Sequence, residues 1–348
     1  MSTKNRLKQL EAAEIKDPNE RKVKFLIEDL FKYYKKIRDK EEQKNEKKIR
    51  ESQNSICQND LMINMNPATR VLVKSYGPEL YITTMQLDSI NRESNFLKKH
   101  KICSVSRTKM VSWMMEIFSS YSSEPLSFFL AVNIMDIYLQ KTNKIYVEEN
   151  FQLIGMVAMF LASKMEDIIP LHMIHIKTKI GHDKFNEKQI TKLEKDMLNI
   201  LDWDIVLITT YDVIKTFLAD FNVNNSEMIQ NLKLEIIVYD IEIISIFLAK
   251  LISLHESFFK YNNCIKAIGI IIAAFDILRS NYNISQDAEN FIRQWLLFLV
   301  QESKYSVEMI THVYNKICLF YEDINNVNRI APSLCKLHNL KNLIKDIK

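Results

Sequence analysis

Four charged residues stand where helical spacing puts apolar side chains, and their types delimit the chemistry open to this chain. Glu194 lies four residues after Ile190 and three before Met197, on a stripe that continues to Leu201, because side chains three and four apart share a helix face. Lys164 shares a face with Val157, Leu161 and Ile168. A charge in an apolar setting either finds an internal partner, since burying it unpaired is costly, or reaches a second molecule. Lys164 also suits the last turn of a helix, where the dipole favours a cation. Arg107 aligns with Met110, Val111 and Met114, and Asp136 with Val132, Met135 and Leu139. Opposite charges on two apolar helices point to one buried pair, a device that fixes register more reliably than it stabilises. His172 and His175 are spaced i, i+3 with His182 nearby, yet lack the matched carboxylate or cysteine geometry of a zinc site. No Ser-His-Asp or paired-carboxylate pattern emerges from spacing. No metal, cofactor or catalytic residue is therefore assigned.

The elements that must position these residues are helices. From Ser106 onward, helical periodicity is interrupted only by short polar breaks at 119–124, 141–148, 169–172, 179–186 and 222–226, and no proline falls between Pro170 and Pro332. Strand-like alternation is nowhere sustained, so the fold is all-α. The segments beginning at Pro125 and at Phe151 are apolar on nearly every face and are expected at the centre of a bundle. The stretch Gly155-Met-Val-Ala-Met-Phe-Leu-Ala is echoed by Gly269-Ile-Ile-Ile-Ala-Ala-Phe 114 residues later, which points to two similar helical bundles in tandem. Upstream, Tyr76 to Leu97 reads as a helix with Pro78 in its first turn.

Composition removes further classes. The 348 residues include 4 Gly, where an average chain carries about 7%, and each glycine is isolated, so no phosphate-binding glycine loop exists. Residues 1–60 hold 16 Lys+Arg against 12 Asp+Glu, which accounts for the whole formal charge of +4 and leaves the rest of the chain neutral. That arm reads as a solvated, charge-alternating segment with one apolar clump around Phe25 and Leu26. The five cysteines form no C-x-x-C pair and fit free thiols in a reducing compartment. The polar start of the chain and the lack of a long uncharged run give the expectation of a soluble protein of the nucleus or cytoplasm, with no membrane partner.

Around the displaced charges the sequence resembles the cyclins. Ser106-Arg-Thr-Lys-Met-Val-Ser-Trp-Met-Met-Glu-Ile resembles that family's M-R-x-x-L-V-D-W-L-x-E-V, and Leu130-Ala-Val-Asn-Ile-Met-Asp-Ile-Tyr-Leu resembles L-A-V-N-x-x-D-R-F-L. Phe151-Gln-Leu-Ile-Gly through Leu161-Ala-Ser-Lys-Met-Glu-Asp-Ile, and then Leu193-Glu with Ile200-Leu-Asp-Trp-Asp-Ile, continue the match in order. The resemblance implies two tandem five-helix cyclin-fold bundles with an N-terminal helix. Its boundaries would be a charged arm at 1–70, the helix at 71–100, a first box at 101–207, a second at 208–325 and a tail at 326–348. It also implies a regulatory subunit, not an enzyme, that forms a heterodimer with a cyclin-dependent protein kinase and acts on protein substrates through it in cell-cycle control. The implied kinase-binding residues are Lys164, Glu194, Leu161, Met165, Glu166, Leu198 and Ile205, while Arg107 and Asp136 match the family's buried structural pair.

Departures from the family pattern carry their own expectations. Ser112 replaces the Asp of V-D-W. The substrate-docking patch keeps Met110, Trp113, Glu116 and Gln152 but has Ser106 and Lys109 at apolar positions, which implies weakened or altered recognition of Arg-x-Leu substrates. No R-x-x-L destruction box lies in the arm; Arg293-Gln-Trp-Leu falls within a predicted helix. These departures keep a non-activating adaptor as the alternative reading. A relative of transcription factor IIB, which uses the doubled fold on DNA, would need a zinc ribbon and a basic body, and neither is present, so no direct nucleic-acid partner is expected.

Overall fold

The computed structural model describes residues 92–322 apart from 94, 282, 283 and 304. The expected arm at 1–70, most of the helix at 71–100 and the tail at 326–348 lie outside the described residues. Of that N-terminal helix, Phe96 and Leu97 fall in a short 3-10 helix, Phe96–Lys99.

Five helical segments build the first bundle. They are α1 (Ser104–Ser120), α2 (Pro125–Lys141), α3 (Glu148–Glu166), a π-helical turn (His175–Ile180) and α4 (Glu187–Ile200). The second bundle comprises α5 (Thr210–Asn224), the short α6 (Ser226–Asn231), α7 (Glu235–Ser253), α8 (Asn263–Asn281), α9 (Gln286–Glu302) and α10 (Val307–Glu322). Among the described residues there is no strand, only a single bridge between Lys101 and Val147. The fold is all-α.

Helix ends follow local chemistry. Asn186 accepts from the Gln189 N–H while the Gln189 side chain accepts from the Asn186 N–H, closing a capping box on α4. Thr209 and Asp212 do the same on α5. Helices α2 and α3 are the hydrophobic axis of the first bundle: Phe128 to Val132, Ile134 to Leu139, and Ile154 to Ser163 are all buried. In the second bundle α8 holds that place and packs against α5, α7, α9 and α10.

The two repeat-related glycines mark close crossings, though against different neighbours. A Cβ on Gly155 would lie 2.2 Å from the Met110 sulfur of α1, whereas one on Gly269 would lie 3.2 Å from Ile317 of α10. Only glycine lets α1 approach α3 with Met110 in its present place.

Arg107 and Asp136 meet in the core, each nearly inaccessible. The Arg107 Nε donates to Asp136 Oδ1 at 2.9 Å and NH2 to Oδ2 at 2.5 Å, a two-point pairing between α1 and α2. The remaining guanidinium nitrogen crosses to the second bundle. NH1 donates to the Ser253 and Leu254 carbonyls at 3.0 and 3.3 Å, and Thr108 Oγ1 adds a bond to Leu254 at 2.9 Å. These are end-of-helix carbonyls of α7, which lack partners within the helix. Phe96 against Phe259, with ring centroids 4.5 Å apart, and Phe129 stacked on Tyr211 at 5.5 Å complete the junction between bundles.

Removing one member of this pair strands the other charge in the core, so Asp136→Ala should lower stability by about 3–5 kcal/mol. The double variant Arg107→Met, Asp136→Leu should recover part of that loss and not all, because the α7 carbonyls stay unpaired. Urea denaturation of the three proteins checks both statements; equal stability of Asp136→Ala and wild type would refute them.

Candidate functional site

Lys164 sits in the last turn of α3 and Glu194 on the adjoining face of α4. The two displaced charges find each other: Nζ lies 2.5 Å from Glu194 Oε1, with the lysine side chain 42% exposed and the glutamate 14%. The ammonium also lies 3.7 Å above the Phe160 ring, a favourable cation–π placement. The spacing alone assigned each charge an unspecified partner, and the fold supplies that partner by laying α3 beside α4. A second bond joins the two elements, from Lys184, just before α4, to Gln152 near the start of α3.

The segments leaving α3 and α4 both carry apolar side chains into solvent, the first beside the start of α2, where Asp167 bonds Glu124 and Ser127, and the second beside its end, where Asp202 pairs with Lys141. The first carries Ile168, Ile169 and Ile174 and the second Trp203 and Val206, all more than half exposed, beside the exposed Met165. Met165, Ile168 and Ile169 follow Lys164 directly in the chain and put apolar surface beside the ion pair. Such surface marks interaction sites when contiguous.

Within the implied kinase-binding set the roles divide. Leu161 and Ile205 are buried, so they support the surface from beneath and offer little area of their own. Leu198 is half-buried and Met165 exposed. Glu166 is half-buried, and its carboxyl is pushed above the usual range by burial, with Asp212 and Asp167 adding repulsion. One expectation is corrected: Ile168 does not share a helical face with Val157 and Leu161, because α3 stops at Glu166 and Ile168 lies beyond it in solvent. Ile169, Ile174, Trp203 and Val206 had no assigned role in the sequence reading. Their signal is a large apolar side chain outside any helical stripe, which periodicity cannot distinguish from a loop residue.

At Trp203 the backbone itself is informative. Asp202 and Trp203 have φ of 55° and 61°, the left-handed region that a bulky side chain enters at a cost. The turn is closed by the Trp203 N–H donating to the Leu198 carbonyl at 2.8 Å, a helix-ending bond that usually accompanies glycine.

The docking-patch residues lie between α1 and α3. Met110 is buried, Trp113 and Gln152 are half-buried, and Glu116 is exposed. The rim is polar: Ser106 Oγ donates to Glu148 Oε1 at 2.9 Å, Lys184 Nζ reaches Gln152 at 3.1 Å, and Lys109 is exposed. Ser112, at the family's Asp position, is buried in α1. Among the described residues, no three His, Cys, Asp or Glu side chains converge as metal ligands, and no helix is long and apolar enough to cross a membrane.

Comparison with known proteins covers the stretch of chain that holds these residues. The cyclin N-terminal domain family matches residues 80–206, a stretch that contains Lys164, Glu194 and the exposed apolar side chains. Over that stretch the chain is similar to the N-terminal domain of the cyclins. G2/mitotic-specific cyclin-2 of Medicago sativa is 35% identical over 115 residues, covering 32% of this chain and 33% of that protein. Human cyclin-A1 is 26% identical over 255 residues, covering 72% of this chain and 49% of its own length. The chain thus spans less than half the length of these curated relatives. A viral cyclin from herpesvirus saimiri is similar in structure at 16% identity and a TM-score of 0.49, over 70% of this chain and 97% of the other.

Replacing Trp203 with glycine should leave the free chain as stable as wild type or more stable by up to about 1 kcal/mol, because the left-handed strain is relieved where little packing is lost. Thermal or chemical unfolding measures this, and a marked loss of stability would show that Trp203 is structural after all.

Proposed function

We propose that this chain is the non-catalytic regulatory subunit of a cyclin-dependent protein serine/threonine kinase, and that it binds and activates that kinase through the surface around Lys164 and Glu194. The observation that carries the reading is the Lys164–Glu194 ion pair with the exposed apolar Met165, Ile168 and Ile169 following Lys164, inside the stretch that matches the cyclin N-terminal domain. Its action belongs in the nucleus or cytoplasm, in cell-cycle control, on protein substrates that the kinase phosphorylates.

Phosphoryl transfer requires a Lys–Glu ion pair that forms only when a mobile helix of the kinase is correctly placed. A helical surface that prefers the active arrangement can hold that helix without any chemistry of its own. Shifting a two-state equilibrium from 1:99 to 99:1 takes about 5.5 kcal/mol of differential binding, equivalent to roughly 200 Å² of apolar area at ~25 cal/mol per Å². Five or six exposed apolar side chains supply area of that order. A surface ion pair contributes about 0–1 kcal/mol, so the Lys164–Glu194 pair serves direction and register, with both groups free to exchange their mutual contact for polar groups of the partner.

Co-purification with candidate cyclin-dependent kinases, followed by a kinase assay, tests the reading. The Lys164→Ala, Glu194→Ala double variant should unfold within about 1 kcal/mol of wild type yet bind and activate the kinase at least tenfold less well. Equal activation by wild type and variant sinks the proposal. Binding without activation by the wild type would favour the adaptor reading instead.

A further inference from the structure

The loop that leaves α3 carries Ile168 and Ile169, 89% and 79% exposed, the two most exposed large apolar side chains among the described residues. Apolar groups in so short a loop would collapse against the surface unless the backbone held them out. Asp167, the first residue after α3, provides the hold. Its Oδ1 accepts from the Glu124 N–H at 2.9 Å and from Ser127 Oγ at 2.6 Å, and its Oδ2 accepts from Ser163 Oγ at 2.6 Å. Ser163 Oγ in turn accepts the Leu171 N–H at 2.7 Å. One carboxylate thus fixes where the loop begins and, through a buried hydroxyl, where it ends at the buried Leu171.

The same group completes α2. Glu124, the N-cap of that helix, makes no side-chain capping bond, and the carboxylate of Asp167 stands in from another helix at the positive end of the dipole. Three donors converge on Asp167, and a carboxylate has about four acceptor positions in all. Its charge is therefore engaged within the chain, unlike that of its neighbour Glu166, which makes no such set of bonds.

We propose that Asp167 is a positioning residue for partner docking: it holds the 168–170 loop so that Ile168 and Ile169 stand beside Lys164 in the geometry the partner meets. This rests on the kinase-binding reading above and adds to it the residue that shapes the surface without touching the partner. The cost of binding falls when the contact surface is already ordered.

Two measurements on the full chain test it. In the free protein, hydrogen exchange at the amides of Glu124 and Leu171 should accelerate about tenfold or more in Asp167→Ala, with amides at the centre of α8 unchanged. In binding to the co-purifying kinase, Asp167→Ala should weaken affinity about tenfold in the wild-type background and have little effect when Ile168 and Ile169 are both serine, since positioning matters only while there are apolar groups to position. Should Asp167→Ala fail to fold, Ser127→Ala removes one of the three bonds and should give the same pattern at smaller size. Unchanged exchange at Leu171, or an equal loss of affinity in both backgrounds, overturns the inference. A wild-type chain that binds no cyclin-dependent kinase overturns the parent reading and the docking role with it, and the exchange measurement on the free chain distinguishes that failure from failure of the clamp.

Discussion

The buried guanidinium of Arg107 is the constraint to which the rest of the structure is referred. A charge nearly removed from water needs partners for its donors, and this one binds the α2 carboxylate of Asp136 on one side and the closing carbonyls of α7 on the other. A single side chain thereby fixes α1 to α2 and the first bundle to the second. Hydrophobic packing alone tolerates sliding and rotation of helices, whereas a two-point ion pair with directional hydrogen bonds does not. The α2 helix fixed in this way packs along α3, whose finish lies beside the start of α2.

A second polar assembly operates at that end on the same principle. Asp167, Ser127 and Ser163 join the start of α2 to the finish of α3, and Lys164 with Glu194 joins α3 to α4. The start of α2 and the finish of α3 are held by side-chain bonds where their regular backbone bonding stops, and α4 is tied to them through its middle. Exposed Ile168 and Ile169 stand on this frame, while Trp203 follows α4 near the end of α2, where Asp202 pairs with Lys141. Apolar residues left in water and a tryptophan in the left-handed region both cost free energy in the isolated chain. That cost is what the proposed docking role would offset on binding.

The second bundle repeats the plan with different means. Its central helix, α8, approaches α10 at Gly269, while the corresponding glycine of α3 approaches α1. The likeness of the two sequences around those glycines is therefore a likeness of helix type, tightly packed and small-residue-rich, and not of neighbours. Its entry is held by Asn263, which donates to the Ile208 carbonyl and accepts from Thr210, so the link between bundles ends in a polar anchor as it began.

Much of this was legible in the sequence. Helical periodicity and the placing of polar breaks determine an all-α chain with α2 and α3 at its centre, because burial on every face requires apolar residues on every face. The opposite charges of Arg107 and Asp136 on apolar stripes determine that a buried pair forms, and the ordered motifs carry the family. Which carbonyls the third nitrogen of Arg107 would reach was not legible, since residues 107 and 254 are brought together only by the packing of one bundle on the other. Nor was the pairing of Lys164 with Glu194, the end of α3 before Ile168, or the bonding of Asp167 to the start of α2. Spacing along a chain reports which side chains share a helix face; which helix ends meet is decided by how the bundle closes, and the site is built from helix ends.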